Sequence, residues 1–477
     1  MTELMPYGEN RWRFDKSDDE QPDVLVYLNR RLRDHFSESG ALKQLQDATQ
    51  LPGVVSPVLG MPDLHQGYGL PIGGVMAMKA EKSDWDTSVV SAGAVGYDIN
   101  CGVRLLSTKI ESADLKAEDL QALLKAFTHR IPAGVGKSSR QSLGSVSFKQ
   151  VVTAGAAALV REGYGRTEDL DAIEELGALG GARLDSVSKK ARSRADQLAT
   201  IGGGNHFIEL GTVAQVYDRE VAETFGLHPG ALTVMIHTGS RGFGHEICTQ
   251  YTARMSKAAA SYGIHLPSKG LACVPIGSPI GQDYLAAMAC AVNYAFANRQ
   301  LMTNEVRGAF ADYFAQPDVT LGLDVVYDVA HNIAKFEDHR GIRMLIHRKG
   351  ATRALSPGHP DNPPQYRKTG HPVIIPGSMG TSSYVVTGTE ETAETFYSAN
   401  HGAGRLMSRT QAKKSIDVKE LKRQLGSVIY GGVSPKKVLD EAPAAYKDID
   451  DVVDSLAAIG LTRKVVRLEP LAVIKGA

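Results

Sequence analysis

The amino-acid sequence predicts an α+β protein in which mixed sheets are surrounded by helices. Two kinds of segment carry that prediction. Short apolar runs of strand type end in polar, glycine-rich turns, as in ALTVMIHTGSRG (231–242) and PVIIPGSMG (372–380). Elsewhere, 112–130 and the Ala-rich 284–311 have helical character. No repeat or low-complexity tract argues for a solenoid or a linker, and no composition shift marks a clean domain boundary.

Taken in order, residues 1–20 are polar and charged and are expected to be a lead-in, with the domain proper over 21–477. Residues 22–50 carry helical apolar spacing broken at Gly40. From Pro52 to Gly74 the density of Gly and Pro predicts mostly loop. VRLLSTK after Gly102 reads as a buried strand. SADLKAEDLQALLKAFTHR reads as an amphipathic helix capped at Ser112 or Asp114. Residues 167–198 are expected to be helical, with one polar side. The runs 231–242 and 372–380 are strands that hand over to turns, the place where a rigid element presents functional groups. The stretch 284–311 is a helix.

At 477 residues and 51.2 kDa the chain can hold one large domain or two. Lys+Arg and Asp+Glu are both 53, so the bulk electrostatic footprint of a nucleic-acid binder is absent and any polyanion site must be a local patch. Four cysteines are too few for a disulfide scaffold at this length and suit a reducing compartment. The N-terminus lacks an apolar signal-peptide core and no apolar run is of membrane length, so a cytoplasmic protein without membrane contact is expected.

A lone histidine is usually a surface or hydrogen-bonded residue, but four of the fourteen keep unusual company. His206, His237, His331 and His401 each lie at an apolar-to-polar switch beside Gly, Asn or Ser. In GAVGYDINCGVRLL, Asp98 and Cys101 stand three apart on a turn between Gly96 and Gly102. Carboxylate, thiolate and imidazole form a borderline-soft ligand set for Zn, Mn, Fe or Co, and a thiolate can bridge two ions. A packed Cys and an Asp capping a turn is the plain structural alternative. Two decoys fail: GVGKSS (134–139) has Ile131 where a phosphate-binding loop needs Gly, and HEICT at 245 is not HExxH. The turns PGSMGTSS (376–383) and HGAG (401–404) offer N–H groups and hydroxyls to phosphate. The run RGIRMLIHRKGATR (340–353) has five Lys or Arg and no acid. A solvated face is the commoner fate of such a run, but its neighbours His331 and the PGSMG turn make it a candidate for phosphate-backbone contact.

In that order GYDINCGVRLL, GGGNHFIEL, HTGSRGFGH, DVAHNIAKFE, HRKGATRA, IPGSMGTSSYV and NHGAGRLMSR resemble the RtcB family of RNA-splicing ligases, from about residue 52 to the terminal LAVIKG. The resemblance implies a single large RtcB-like catalytic domain. It implies a GTP- and Mn2+-dependent ligase joining RNA 2′,3′-cyclic phosphate or 3′-phosphate ends to 5′-hydroxyl ends. RNA, as tRNA halves or cleaved RNA, would be the partner, with an archaease-type activator as a further candidate. By similarity Asp98, Cys101, His206, His237 and His331 hold two Mn2+ ions with Cys101 bridging, and His401 carries GMP. Asn205, His206, Phe207, Ile208, Glu209, His331, Asn332, Pro376, Gly377, Ser378, Met379, Ser383, His401, Gly402, Ala403, Gly404 and Lys475 hold the nucleotide. Glycines 202–204 would let backbone approach its phosphates. A di-metal phosphoesterase and a non-catalytic RNA-binding paralogue are the rival readings.

Overall fold

A computed structural model describes residues 4–14, 21–36, 39–139 and 143–476. Two large sheets organise it. The first runs Leu4–Gly8, Arg11–Phe14, Val24–Tyr27, Val54–His65, Ile72–Lys79, Ile342–Lys349, Asn332–His339. The second runs Asp324–Ala330, Gly102–Glu111, Ala231–Thr238, Phe207–Val216, Thr462–Lys475, Ser383–Gly388, Val373–Ile375, with Ile429–Gly432 alongside the end of Thr462–Lys475. Most pairings are antiparallel, but Val24–Tyr27 with Val54–His65 and Ile429–Gly432 with Thr462–Lys475 are parallel. The sheets are mixed, as predicted. The helix Pro279–Phe314 is longer than its Ala-rich heart. Ser278 accepts from the Gly281 N–H at its start, Pro279 occupies its first turn, and Ala315 ends it in a left-handed conformation. Much of it is buried, and it packs against the helices Phe148–Val160 and Arg241–Ala258.

Several expectations are corrected. The polar lead contributes two strands whose Leu4 and Phe14 enter the core, while 1–3 and 15–20 lie outside the described residues. Gly40 lies inside the helix Ser39–Ala48, which is separated from Arg30–Asp34 by the chain before Ser39. Most of Pro52–Gly74 is strand: Val54–His65 is buried from Val58 onward, and hydrophobic burial there outweighs its Gly and Pro content. The helix Ala117–Arg130 begins beyond Ser112 and Asp114, which form a separate 3-10 turn. Asp119 instead accepts from the Lys116 N–H at 2.7 Å. Residues 167–198 are broken into short turns, of which only Thr167–Asp171 and Lys189–Arg192 are α-helical.

Candidate active site

In the second sheet Val103 pairs with His237, His237 with Phe207, Gly102 with Ala330, and Phe207 with Lys475. One edge of the sheet therefore collects Cys101 just before its strand, His206 just before its strand, His237 near the end of its strand, and His331 just after its strand. Gly102 has to be glycine, because a Cβ there would meet the Val329 carbonyl at 2.5 Å and the Arg299 guanidinium at 3.0 Å. That buried guanidinium donates to Asn100 O and Thr238 O and pairs with Asp328, which also pairs with Arg104. It ties the Asp98–Cys101 turn to two neighbouring strand ends.

Two ligand groups result: Cys101, His237 and His331, and Asp98, Cys101 and His206, the donor atoms of each lying within 4.8 Å of one another. Cys101 belongs to both. Its Sγ is 3.2 Å from His206 Nε2 and 3.3 Å from His237 Nε2; His237 Nε2 is 3.3 Å from His331 Nε2, and His206 Nε2 is 2.8 Å from Asp98 Oδ2. Burial lowers the pKa of all three imidazoles, leaving neutral lone-pair donors. Burial, with the Asp98 carboxylate beside it, pushes the Cys101 thiol well up, so the thiolate forms only when a cation lies next to it. Burial acts to raise Asp98, but the adjoining His206 and Arg241 outweigh it and hold the carboxylate ionised. Carboxylate, thiol and imidazole converging in this way could hold a metal ion, and Cys101 is the donor common to both groups.

His401 stands against this cluster, its ring 4.7 Å from that of His331. Asp63 Oδ2 accepts from its Nδ1 at 2.6 Å and from its backbone N–H at 3.0 Å. A proton fixed on Nδ1 leaves Nε2 as the free lone pair. A cavity of about 750 Å³ opens beside it, lined by Asn205, Phe207, Glu209, residues 376–379, 401–405, Arg409, Tyr446 and Lys475, with His65, Ile72 and His237. Lys475 is buried at the end of its strand; Nζ donates to Gly204 O at 3.1 Å and pairs with Glu441 at 3.3 Å. Burial raises Glu209 to about 8 despite the nearby Lys475.

Among the sequence-derived residues, Ile208 points to the other face of its strand and packs in the core beside Ile474. Ser383 stays behind the cavity, its hydroxyl accepting from the Gly377 N–H at 3.1 Å. Asn332 braces the ligand turn, donating to Asp98 O at 3.1 Å and accepting from the Gly350 N–H at 2.9 Å. The glycine run has an internal reason. A Cβ on Gly202 would meet His206 Nδ1 at 1.9 Å, and one on Gly204, which has φ +70°, would meet the Arg409 guanidinium at 2.7 Å. The basic run is mostly interior: Arg348 pairs with Glu337, Arg353 with Glu174 and Glu175, and Lys349 donates to Tyr68 O and Gly93 O. Arg340 and Arg343 are exposed. Sequence reasoning missed Asp63 and His65, whose signal was two polar groups at strand spacing in MPDLHQG. It also missed Arg405 and Arg409, which share a motif with His401 and pair with Glu441.

No helix among the described residues is long and apolar enough to cross a membrane. The family model described as "tRNA-splicing ligase RtcB" matches residues 44–476. Proteins named tRNA-splicing ligase RtcB are similar over nearly the whole length. The one from Archaeoglobus fulgidus is 45% identical over 99% of both chains, and that from Thermococcus kodakarensis 41% over 100% of both. The Aeropyrum pernix protein is 42% identical over 95% of both. The ordered motifs, the cluster and the cavity occur in a chain that belongs to the RtcB family of tRNA-splicing ligases.

Proposed function

We propose that this chain is an RNA ligase that uses GTP and Mn2+ to join a 2′,3′-cyclic phosphate or 3′-phosphate end to a 5′-hydroxyl end, with tRNA halves or other cleaved RNA as substrates. The observation that carries the reading is the His401 pair: an imidazole held by Asp63, at the mouth of a cavity and against the ligand cluster. His401 Nε2 attacks the GTP α-phosphorus, the pyrophosphate leaves, and a phosphoramidate forms. An oxygen of the RNA 3′-phosphate then takes the GMP from His401, giving an RNA 3′-pyrophosphate-guanosine. The 5′-hydroxyl oxygen attacks the RNA-side phosphorus, GMP leaves, and a phosphodiester remains. A 3′-phosphate has no good leaving group of its own, and the GMP supplies one.

Asp98, Cys101, His206, His237 and His331 would hold two ions. Bound there, the metal supplies charge neutralisation and lowers the pKa of an attacking hydroxyl or of water that opens a cyclic phosphate. Arg405 and Arg409 line the cavity and suit the phosphates. Lys475 donates hydrogen bonds and accepts none, which suits guanine O6 and N7 and opposes the adenine amino group. Glu209 accepts from guanine N1 and N2 hydrogens. The test is incubation with α-labelled GTP or ATP and Mn2+, followed by denaturation. Label from GTP that is stable in alkali, labile in acid and absent from His401→Ala is the expected result; persistent labelling of that variant overturns the assignment.

A further inference from the structure

Four groups that line the nucleotide cavity converge, behind it, on one buried carboxylate. Glu441 stands on the short turn Leu439–Glu441, is 1% exposed and does not itself line the cavity. Its Oε2 accepts from Lys475 Nζ at 3.3 Å and from the Tyr446 hydroxyl. Its Oε1 accepts from Arg409 Nη1 and, at 3.4 Å, from Arg405 Nη1. Lys475, Tyr446, Arg405 and Arg409 all face the cavity wall. The Arg405 guanidinium lies 5.0 Å from the centre of the Tyr446 ring, and Arg409 also pairs with Asp440 at 2.8 Å. Burial acts to raise the Glu441 carboxyl, but Lys475 and Arg409 outweigh it and hold it at about 2, so the charge is present across the neutral range.

We propose that Glu441 is a positioning residue for guanine recognition: it fixes the Lys475 ammonium and, with it, the Tyr446 ring and the Arg405 and Arg409 guanidiniums before a nucleotide arrives. The proposal rests on the guanine reading of Lys475 given above. An ammonium has three N–H donors. Lys475 gives one to Gly204 O at 3.1 Å and one to Glu441, which leaves the third for a ligand in the cavity. Three cations gathered here would repel one another without the anion they share. Both oxygens of Glu441 face donors, so a glutamine would set its own amide N–H groups against Lys475 or against two guanidiniums. A donor that is already aimed costs the ligand no ordering, so a group that never touches guanine can still set the preference for it.

The test is calorimetric binding of GMP and AMP to the Mn2+-loaded protein, since each carries its base and a phosphate but no leaving group for transfer. Wild type should prefer GMP. Glu441→Gln should lower that preference about tenfold or more with bound Mn unchanged, the scale of a lost hydrogen bond to a charged group. Glu441→Asp keeps the charge but draws it back by one methylene. It should keep part of the preference, and it serves if Glu441→Gln fails to fold. In a Lys475→Ala background the ammonium is already gone, so adding Glu441→Gln should change the preference less than about twofold. A residue that only braced the fold would weaken GMP and AMP alike and leave their ratio where it was. An unchanged ratio in Glu441→Gln, or in Glu441→Asp where that variant has to serve, overturns the proposal, and so does an equal loss with and without Lys475. No GMP preference in wild type overturns it together with the guanine reading. Labelling of wild-type His401 by α-labelled GTP is scored separately. Labelling with an unchanged ratio in the variants removes the role of Glu441 alone, whereas a lowered ratio without labelling removes the ligase chemistry alone.

Discussion

At position 63 an aspartate holds His401 in a way that the glycine-rich turn at 401–404 cannot, fixing the ring from another strand and choosing its tautomer. Asp63→Asn keeps the size but lets an amide N–H face Nδ1, which favours the proton on Nε2 and removes the lone pair that the proposed reaction uses. Guanylylation of His401, measured with labelled GTP, should fall about a thousandfold or more, as when a triad aspartate is neutralised, with Mn content unchanged. Cys101 sits in both ligand groups, so Cys101→Ser should lose most bound Mn by elemental analysis and nearly all ligation. A thiol that merely filled space would lose neither. Cys101, Asp98 and the four histidines were legible because polar groups at the ends of apolar runs stand out in a sequence. Asp63 was not, because its partner is distant in sequence and its strand is rich in Gly and Pro.

The terminal strand Thr462–Lys475 shows how an element makes a residue matter. It lies between Phe207–Val216 and Ser383–Gly388, so the chain end is a central strand rather than a fraying tail. Deleting 475–477, or Lys475→Ala, should weaken GTP binding by calorimetry and narrow the preference for GTP over ATP while Mn content stays constant. Deleting 471–477 should instead unfold the domain, because it strips partners from the strand that carries Glu209. The apolar run before Lys475 made this docking readable from sequence, as it did for 231–242 and 284–311. The strand at Val54–His65 and the broken segment 167–198 were not readable. In the first, tertiary burial overrides local composition; in the second, short turns are held by distant partners, as when Asp169 pairs with Arg307. In the basic run 340–353 the interior pairing of Arg348 and Arg353 was unreadable for the same reason: nothing local says that Glu337, Glu174 and Glu175 will be placed beside them.

Over the whole molecule the charges balance, and the chemistry depends on local fields inside the fold. Glu209 offers the clearest test of that separation. Its native pKa is raised by burial to about 8, while the unfolded chain releases this proton near the ordinary value of 4.5. Between those values the native state holds a proton that the unfolded state has lost. The stability conferred by this proton is therefore complete below the lower value and is lost as pH rises through the higher one. Relative to Glu209→Gln, wild-type protein without nucleotide should lose up to about 1.4 kcal/mol of unfolding free energy per pH unit across that window, measured by urea titration. Nucleotide binding should run the opposite way. In the proposed binding mode guanine N1 and N2 hydrogens would donate to the ionised carboxylate, so GTP would displace the proton, and affinity should climb with pH by up to about tenfold per unit until Glu209 ionises unaided near 8. Calorimetry on wild type and Glu209→Gln, in buffers of different ionisation enthalpy, separates this proton from those on the nucleotide itself. Equal pH slopes for the two proteins, with no difference in protons released, would place guanine away from Glu209.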